Sequence, residues 1–140
     1  MQTLMTEAEL AGFLVRECPQ VAADFAVERL TVEGIVMRLR VAERHLRPGG
    51  TVSGPSIFAL ADLAVYLALL ARIGPVALAV TTNAGIDFLR RPAADRDLIA
   101  EARILKLGRV LAVGDVLIRS EGLADPVARV NLTYSIPPAR

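Results

Sequence analysis

The stretch 57–71 is apolar on every side of a helical wheel, yet it carries one charge, Asp62. Pro55 just inside its start and Gly74 just past its end punctuate a helix over 54–72. A helix without a polar face must be buried. An ionised carboxylate inside such a helix is costly unless it is paired, hydrogen-bonded, protonated or open to a cavity. Two uses meet that demand: Asp62 bonds neighbouring backbone or faces a subunit contact, or it is a general base or nucleophile in a pocket. A membrane span is the rival reading of the run. Crossing a bilayer takes roughly 20 apolar residues; this run is shorter, contains Asp62 and is flanked by strand-like sequence.

What wraps the helix is legible on both sides of it. Before it, 27–32 and 35–41 are rich in β-branched and apolar residues, with Glu33-Gly34 between them as a turn. After it, 80–89, 98–107, 110–118 and 127–136 read as four strands. The last alternates Ala128, Val130, Leu132, Tyr134 and Ile136 with Arg129, Asn131, Thr133 and Ser135. Gly108-Arg109 and Glu121-Gly122 suit tight antiparallel turns. The segment 1–18 ends in a helix that Thr6 and Glu9 cap reciprocally and Cys18-Pro19 closes. One curled antiparallel sheet around one helix, an α+β arrangement within a single domain over 1–140, is the economical fold.

The 140 residues suit one domain, and an apolar share of 54% supplies its core. Lys and Arg number 16 against 15 Asp and Glu, without the basic excess a nucleic-acid partner calls for. One cysteine, Cys18, and one histidine, His45, exclude an internal disulfide and a Cys/His metal cluster. No basic, then apolar, export signal opens the chain, so a cytoplasmic location is expected.

The start of the long helix is the second place for chemistry. Free amides there favour developing negative charge, and Gly54 allows close approach to its backbone; plain capping is the other use of such a start. The segment 53–62, Ser-Gly-Pro-Ser-Ile-Phe-Ala-Leu-Ala-Asp, resembles the loop-to-helix motif of the PaaI-like (phenylacetate-pathway) hotdog thioesterases: His-Gly-Gly, four variable residues, Leu-Ala-Asp. The register agrees without a gap. Residues 86–93, Ile-Asp-Phe-Leu-Arg-Arg-Pro-Ala, are similar to the family's Ile-Asp-Phe-Leu-Arg-Pro, with one added Arg, and 107–109 carry its Gly-Arg turn.

The resemblance implies a hotdog fold and hydrolysis of acyl-CoA thioesters, with no cofactor and no metal. It implies that two copies pair into a homodimer with shared active sites, and that dimers stack into a tetramer. Asp62 takes the place of the family acid that activates water or attacks the carbonyl; Gly54 takes that of the amide that polarises it across the interface. Thr81 and Thr82, near the start of the following strand, both match loosely a position where some relatives carry a pocket hydroxyl, and Thr81 is taken as the candidate. Tyr66 and Phe58 lie one turn either side of Asp62; the Tyr66 hydroxyl is a candidate contact to the acyl group, with a core-facing tyrosine as the favoured alternative. Arg90, Arg91 and Arg109 are candidates for CoA phosphates, the alternative being a solvated charge cluster.

The motif also departs from the family. Ser53 stands where the family has its histidine, Pro55 replaces the second glycine and removes a backbone donor, and Arg47 stands near a common Asn. A non-catalytic acyl-CoA or small-ligand binder on the same fold is therefore the main alternative, and an enoyl-CoA dehydratase a third. A nucleophile–base pair of His45 with Cys18 or a serine is a further possibility, unsupported by any signature around either residue.

Overall fold

The computed structural model describes residues 2–138. Helix α1 (Glu7–Glu17) is followed by β1 (Phe25–Leu30), β2 (Gly34–Leu39), α2 (Gly54–Ile73), β3 (Val80–Phe88), β4 (Leu98–Leu107), β5 (Leu111–Ser120) and β6 (Pro126–Ser135). The strands form one antiparallel sheet in the order β1-β2-β4-β5-β6-β3. It curls around α2, whose Leu60, Ala61, Ala64, Val65, Leu67 and Ala68 are fully buried against the inward residues of the strands. This is the helix-in-sheet arrangement expected from the sequence.

The N-terminal capping box forms as read. Thr6 Oγ1 accepts from the Glu9 amide (3.1 Å), and Glu9 Oε1 accepts from the Thr6 amide (3.0 Å). Leu10, Phe13 and Leu14 then pack into the core. The other end of the chain alternates as read too: Ala128, Val130, Leu132 and Tyr134 are buried.

Three readings are corrected. Gly34 is not in the first turn; it opens β2, where it pairs with Arg103. A Cβ there would lie 1.7 Å from the Ala102 carbonyl oxygen, so only glycine lets the two strands approach. The strand read over 35–41 ends at Leu39, because the Arg40 amide turns to the Asp24 carbonyl (2.7 Å) and the Val41 amide to Asp97 Oδ1 (3.0 Å). Finally, α2 has 20 residues and is long and apolar enough to cross a membrane. Length therefore does not argue against a span; what covers this helix here is the sheet, with 61% of its most apolar window buried.

The helix is left partly uncovered on one side of its first three turns, where Pro55 and Ala59 are exposed and Asp62, Leu63 and Tyr66 half-buried. The neighbouring strand β3 is an edge of the sheet, paired only with β6 among the described strands. These two uncovered features position the site.

Candidate active site

Asp62 sits on the uncovered side of α2, and β3 and β6 supply its partners. Thr81 and Tyr134 are directly opposite each other in the β3–β6 ladder. The register shifts between Thr81 and Asn83, so Thr82 is a bulge residue and Thr81 is aimed at the helix. Thr81 Oγ1 donates to Asp62 Oδ1 (2.5 Å), and the Tyr134 hydroxyl donates to the same oxygen (2.7 Å), lying 3.0 Å from the Asp62 carbonyl. Oδ2 accepts no hydrogen bond from the described residues. Burial, and then the Asp62 charge beside it, push the Tyr134 phenol well above its ordinary pKa, so it remains a donor.

Around this carboxylate lies a largely apolar cavity of about 410 Å³, lined by Leu63, Tyr66, Phe25, Val80 and Val21 among others. Tyr66 contributes its ring, but its hydroxyl donates to the Ala77 carbonyl (2.8 Å), so its proton is committed. Burial, with Cys18 and Glu17 adding, pushes that phenol up to about 12. Phe58 packs against the core and does not line this cavity.

A second cavity of about 500 Å³ lies at the start of α2, lined by Arg47, Gly54, Phe88, Arg90 and Arg91. Ser53 is the N-cap: its Oγ accepts from the Ser56 amide (3.3 Å) and donates to Ser56 Oγ (2.9 Å). The Gly54 amide donates to no described residue. The Phe88 ring lies over Gly54, 3.2 Å from where a Cβ would stand. Arg90 donates to the Pro126 carbonyl, whereas the Arg47 and Arg91 guanidiniums make no bond to the described residues. Arg109 lines neither cavity. Gly54 and Asp62 are thus at opposite ends of two turns, about 12 Å apart along the axis.

The histidine pair is closed by geometry. His45 Nδ1 accepts from the Ala42 amide (2.9 Å), which leaves Nε2 to donate to Asp24 Oδ2 (3.2 Å). Both nitrogens are occupied, so His45 cannot deprotonate a serine or Cys18. It is structural: its carbonyl accepts from the Ser53 amide (2.8 Å) and holds the loop entering α2. Asp24 is held below the usual carboxylate range chiefly by its bond to Arg44. Cys18 lines the Asp62 cavity, but burial and then Glu17 push its thiol up, away from the reactive thiolate. No group of three or more His, Cys, Asp or Glu poised for a metal occurs among the described residues.

Comparison with known proteins decides the family. The model of the thioesterase superfamily matches residues 49–126. The chain belongs to the thioesterase superfamily. It is similar over 99% of its length to a crystal structure of a candidate thioesterase from a Silicibacter species, at 55% identity and a TM-score of 0.92, covering 96% of that chain. It is also similar to the phenylacetic acid degradation protein PaaI of Thermus thermophilus, at 31% identity and a TM-score of 0.73 over 85% of this chain and 99% of that one. A thioesterase-type protein of Streptococcus pneumoniae, solved with coenzyme A, shares the fold at 22% identity and a TM-score of 0.72, covering 84% and 89%. Among curated proteins no match is found.

The segment 53–62, which resembles the PaaI-like motif, spans both cavities, since Gly54 and Asp62 fall at the two ends of the same two turns. Of the candidates, Asp62, Thr81 and Tyr66 gather in one cavity, and Gly54, Arg47, Arg90 and Arg91 in the other; Ser53 adjoins the second as its cap. Thr82 turns away, its hydroxyl on the Thr133 carbonyl (3.3 Å). Sequence reasoning missed Tyr134 as a site residue. Its place in the inward-facing alternation of the last strand was visible, but the β3–β6 register that sets it opposite Thr81 was not.

Proposed function

We propose that this thioesterase-superfamily protein hydrolyses acyl-CoA thioesters in sites shared between two copies of the chain. The observation that carries the reading is Asp62: a carboxylate in an apolar cavity with Oδ1 occupied and Oδ2 unbonded among the described residues. In this scheme Oδ2 takes a proton from water as the water oxygen attacks the thioester carbonyl, and returns it to the departing sulfur. Alternatively, Oδ2 attacks that carbon itself, giving a mixed anhydride that water then hydrolyses, the proton of that water going to the CoA thiolate. The carbonyl electrons collect on oxygen beside the Gly54 amide; the C–S bond then breaks, and the CoA sulfur leaves and is protonated.

A donor must lie about 3 Å from the developing oxyanion, so Gly54 and Asp62 of one chain cannot serve one carbonyl. Pairing of two β3 edges supplies the remedy. In antiparallel pairing, the Thr81 end of one strand, beside Asp62, lies against the Phe88 end of the other, beside the partner's Gly54. The exposure of Val80 (55%) and Phe88 (59%) on this edge supports such a contact. Pairs of dimers would complete a tetramer. Arg47 and Arg91, whose guanidiniums make no bond to the described residues, suit the CoA phosphates, with Arg90 beside them; the Streptococcus pneumoniae protein of the same fold was solved with coenzyme A.

Thiol release from a panel of acyl-CoAs, with the parent and Asp62→Asn side by side, tests the reading. The expected result is turnover by the parent that falls on the order of 10²–10⁴-fold in the variant, from a protein sedimenting as a dimer or larger. Equal turnover by the two would sink the role of Asp62. Tight CoA-ester binding without turnover would make the protein a binder, for which Ser53 and Pro55 at the oxyanion end would be the physical reason.

A further inference from the structure

We infer that Tyr134 is the positioning residue for Asp62, acting with Thr81 to fix one carboxylate oxygen and leave the other to meet substrate. The inference rests on the catalytic reading of Asp62 and adds to it a residue from the last strand. Three observations converge on it. Tyr134 and Thr81 are ladder partners, so the sheet itself holds the two hydroxyls side by side beneath the helix. Both reach the same oxygen, Oδ1, at 2.7 and 2.5 Å. A phenol has one proton to give, and the shorter contact directs it to Oδ1 rather than to the Asp62 carbonyl 3.0 Å away.

The phenol is held in place by its ring. Tyr134 is 3% exposed and stacks on Tyr66, with centroids 5.9 Å apart and planes 27° apart. Tyr66 in turn meets Phe13 of α1 at 6.0 Å and is tied through its hydroxyl to Ala77. Tyr134 therefore has no freedom to swing away, and neither has the oxygen it binds. Two donors on one oxygen stop the carboxyl from rotating about its terminal torsion, which is otherwise broad and nearly two-fold. Oδ2 then faces the cavity in a single orientation. That is the pre-orientation a base or nucleophile needs, since small misplacements at a reacting atom cost large factors in rate.

The test compares Tyr134→Phe, Thr81→Val and Thr81→Ser with the parent and with Asp62→Asn. Phe keeps the ring and its stacking and removes only the donor. Expected is a fall in kcat of about ten-fold or more for Tyr134→Phe, with KM little changed and the melting temperature close to the parent's. Thr81→Val falls similarly, Thr81→Ser recovers, and the Tyr134→Phe/Thr81→Val pair departs from additivity because both act on one oxygen. A Tyr134→Phe enzyme with the parent's kcat, beside an inactive Asp62→Asn, overturns this inference and leaves the role of Asp62 standing. An Asp62→Asn enzyme as active as the parent overturns both. A loss shared equally between kcat and stability in Tyr134→Phe, with Thr81→Ser no better than Thr81→Val, makes Tyr134 a packing residue and also overturns the inference.

Discussion

Asp62 and Arg72 are charges about three turns apart on one apolar helix, and the fold treats them oppositely. Arg72 is 6% exposed, and its two terminal nitrogens are consumed by backbone: Nη1 by the Gly34 and Ala68 carbonyls (3.1 and 3.0 Å), Nη2 by those of Thr31 and Val32 (2.9 and 3.3 Å). It fastens the β1–β2 turn to the end of α2. Asp62 is half-buried, spends one oxygen on two side-chain hydroxyls and keeps the other for a cavity. Each finds partners for its charge, as a charge inside a protein must, although the Arg72 Nε is buried without one among the described residues. The difference is in what remains: a charge whose terminal atoms are all absorbed by backbone is a fastening, and one with an atom left over in a pocket is available for chemistry.

A crossed pair of variants is the strongest way to break that distinction. Asp62→Asn, nearly isosteric and still able to accept from Thr81 and Tyr134, should lose turnover on the order of 10²–10⁴-fold while its unfolding midpoint barely moves. Arg72→Leu should do the reverse. Removing a buried charged donor strands several carbonyls and should lower the free energy of unfolding by about 3 kcal/mol, with kcat per folded molecule retained. Urea unfolding and thiol release on the same samples give both numbers. An inactive but stable Arg72→Leu, or an active but unstable Asp62→Asn, would erase the contrast.

The two charges also differ in how far they were legible. Asp62 stood out because nothing polar but Tyr66 accompanies it in the run, and its spacing from Gly54 carried a family motif. Arg72 lay just beyond the run and nothing in the sequence singled it out, since a basic residue in the last helical turn is common. Its burial follows from the β1–β2 turn folding over the helix end, a contact between residues some forty positions apart that no local pattern encodes. Gly34 was misplaced for the same reason: its neighbour Ala102 is in another strand, so the glycine read as a turn instead of a close approach. Element types, the buried helix and the capping box were set by local periodicity and caps, and were readable. Tyr134 and the division of the candidates between two cavities depend on register and were not.

Gly34→Ala sharpens the Arg72 side with a smaller effect. The added methyl must push β2 away from the Ala102 carbonyl, and it carries the Gly34 oxygen away from Arg72. A cost of about 1–3 kcal/mol is expected. If Arg72 works by fastening this turn, the loss in the Gly34→Ala/Arg72→Leu pair should fall short of the sum of the two singles, since each has already loosened the same contact. Strict additivity in urea unfolding would mean that Arg72 and Gly34 stabilise the protein independently.

The smallest expected effect belongs to the Asp62 side and is read from pH. Burial pushes the Tyr66 phenol up to about 12 and Tyr134 further in the same direction. An unfolded chain releases these protons near pH 10 while the folded chain retains them, so the folded state binds more protons there. Stability is then complete below about pH 10 and falls as pH rises through the folded value near 12. Cys18, also raised by burial, adds a loss of the same sign that begins at a lower pH. Tyr66→Phe should flatten the decline between pH 10 and 12 while costing about 1 kcal/mol at neutral pH for the lost bond to Ala77. Arg72→Leu should be less stable than the parent at each pH measured, because its bonds to four backbone carbonyls are lost throughout. Urea midpoints at pH 8, 9.5 and 11 for the parent and both variants decide it: a Tyr66→Phe slope equal to the parent's would show that the phenol is not withheld from solvent in the way its packing against Phe13 and Tyr134 requires.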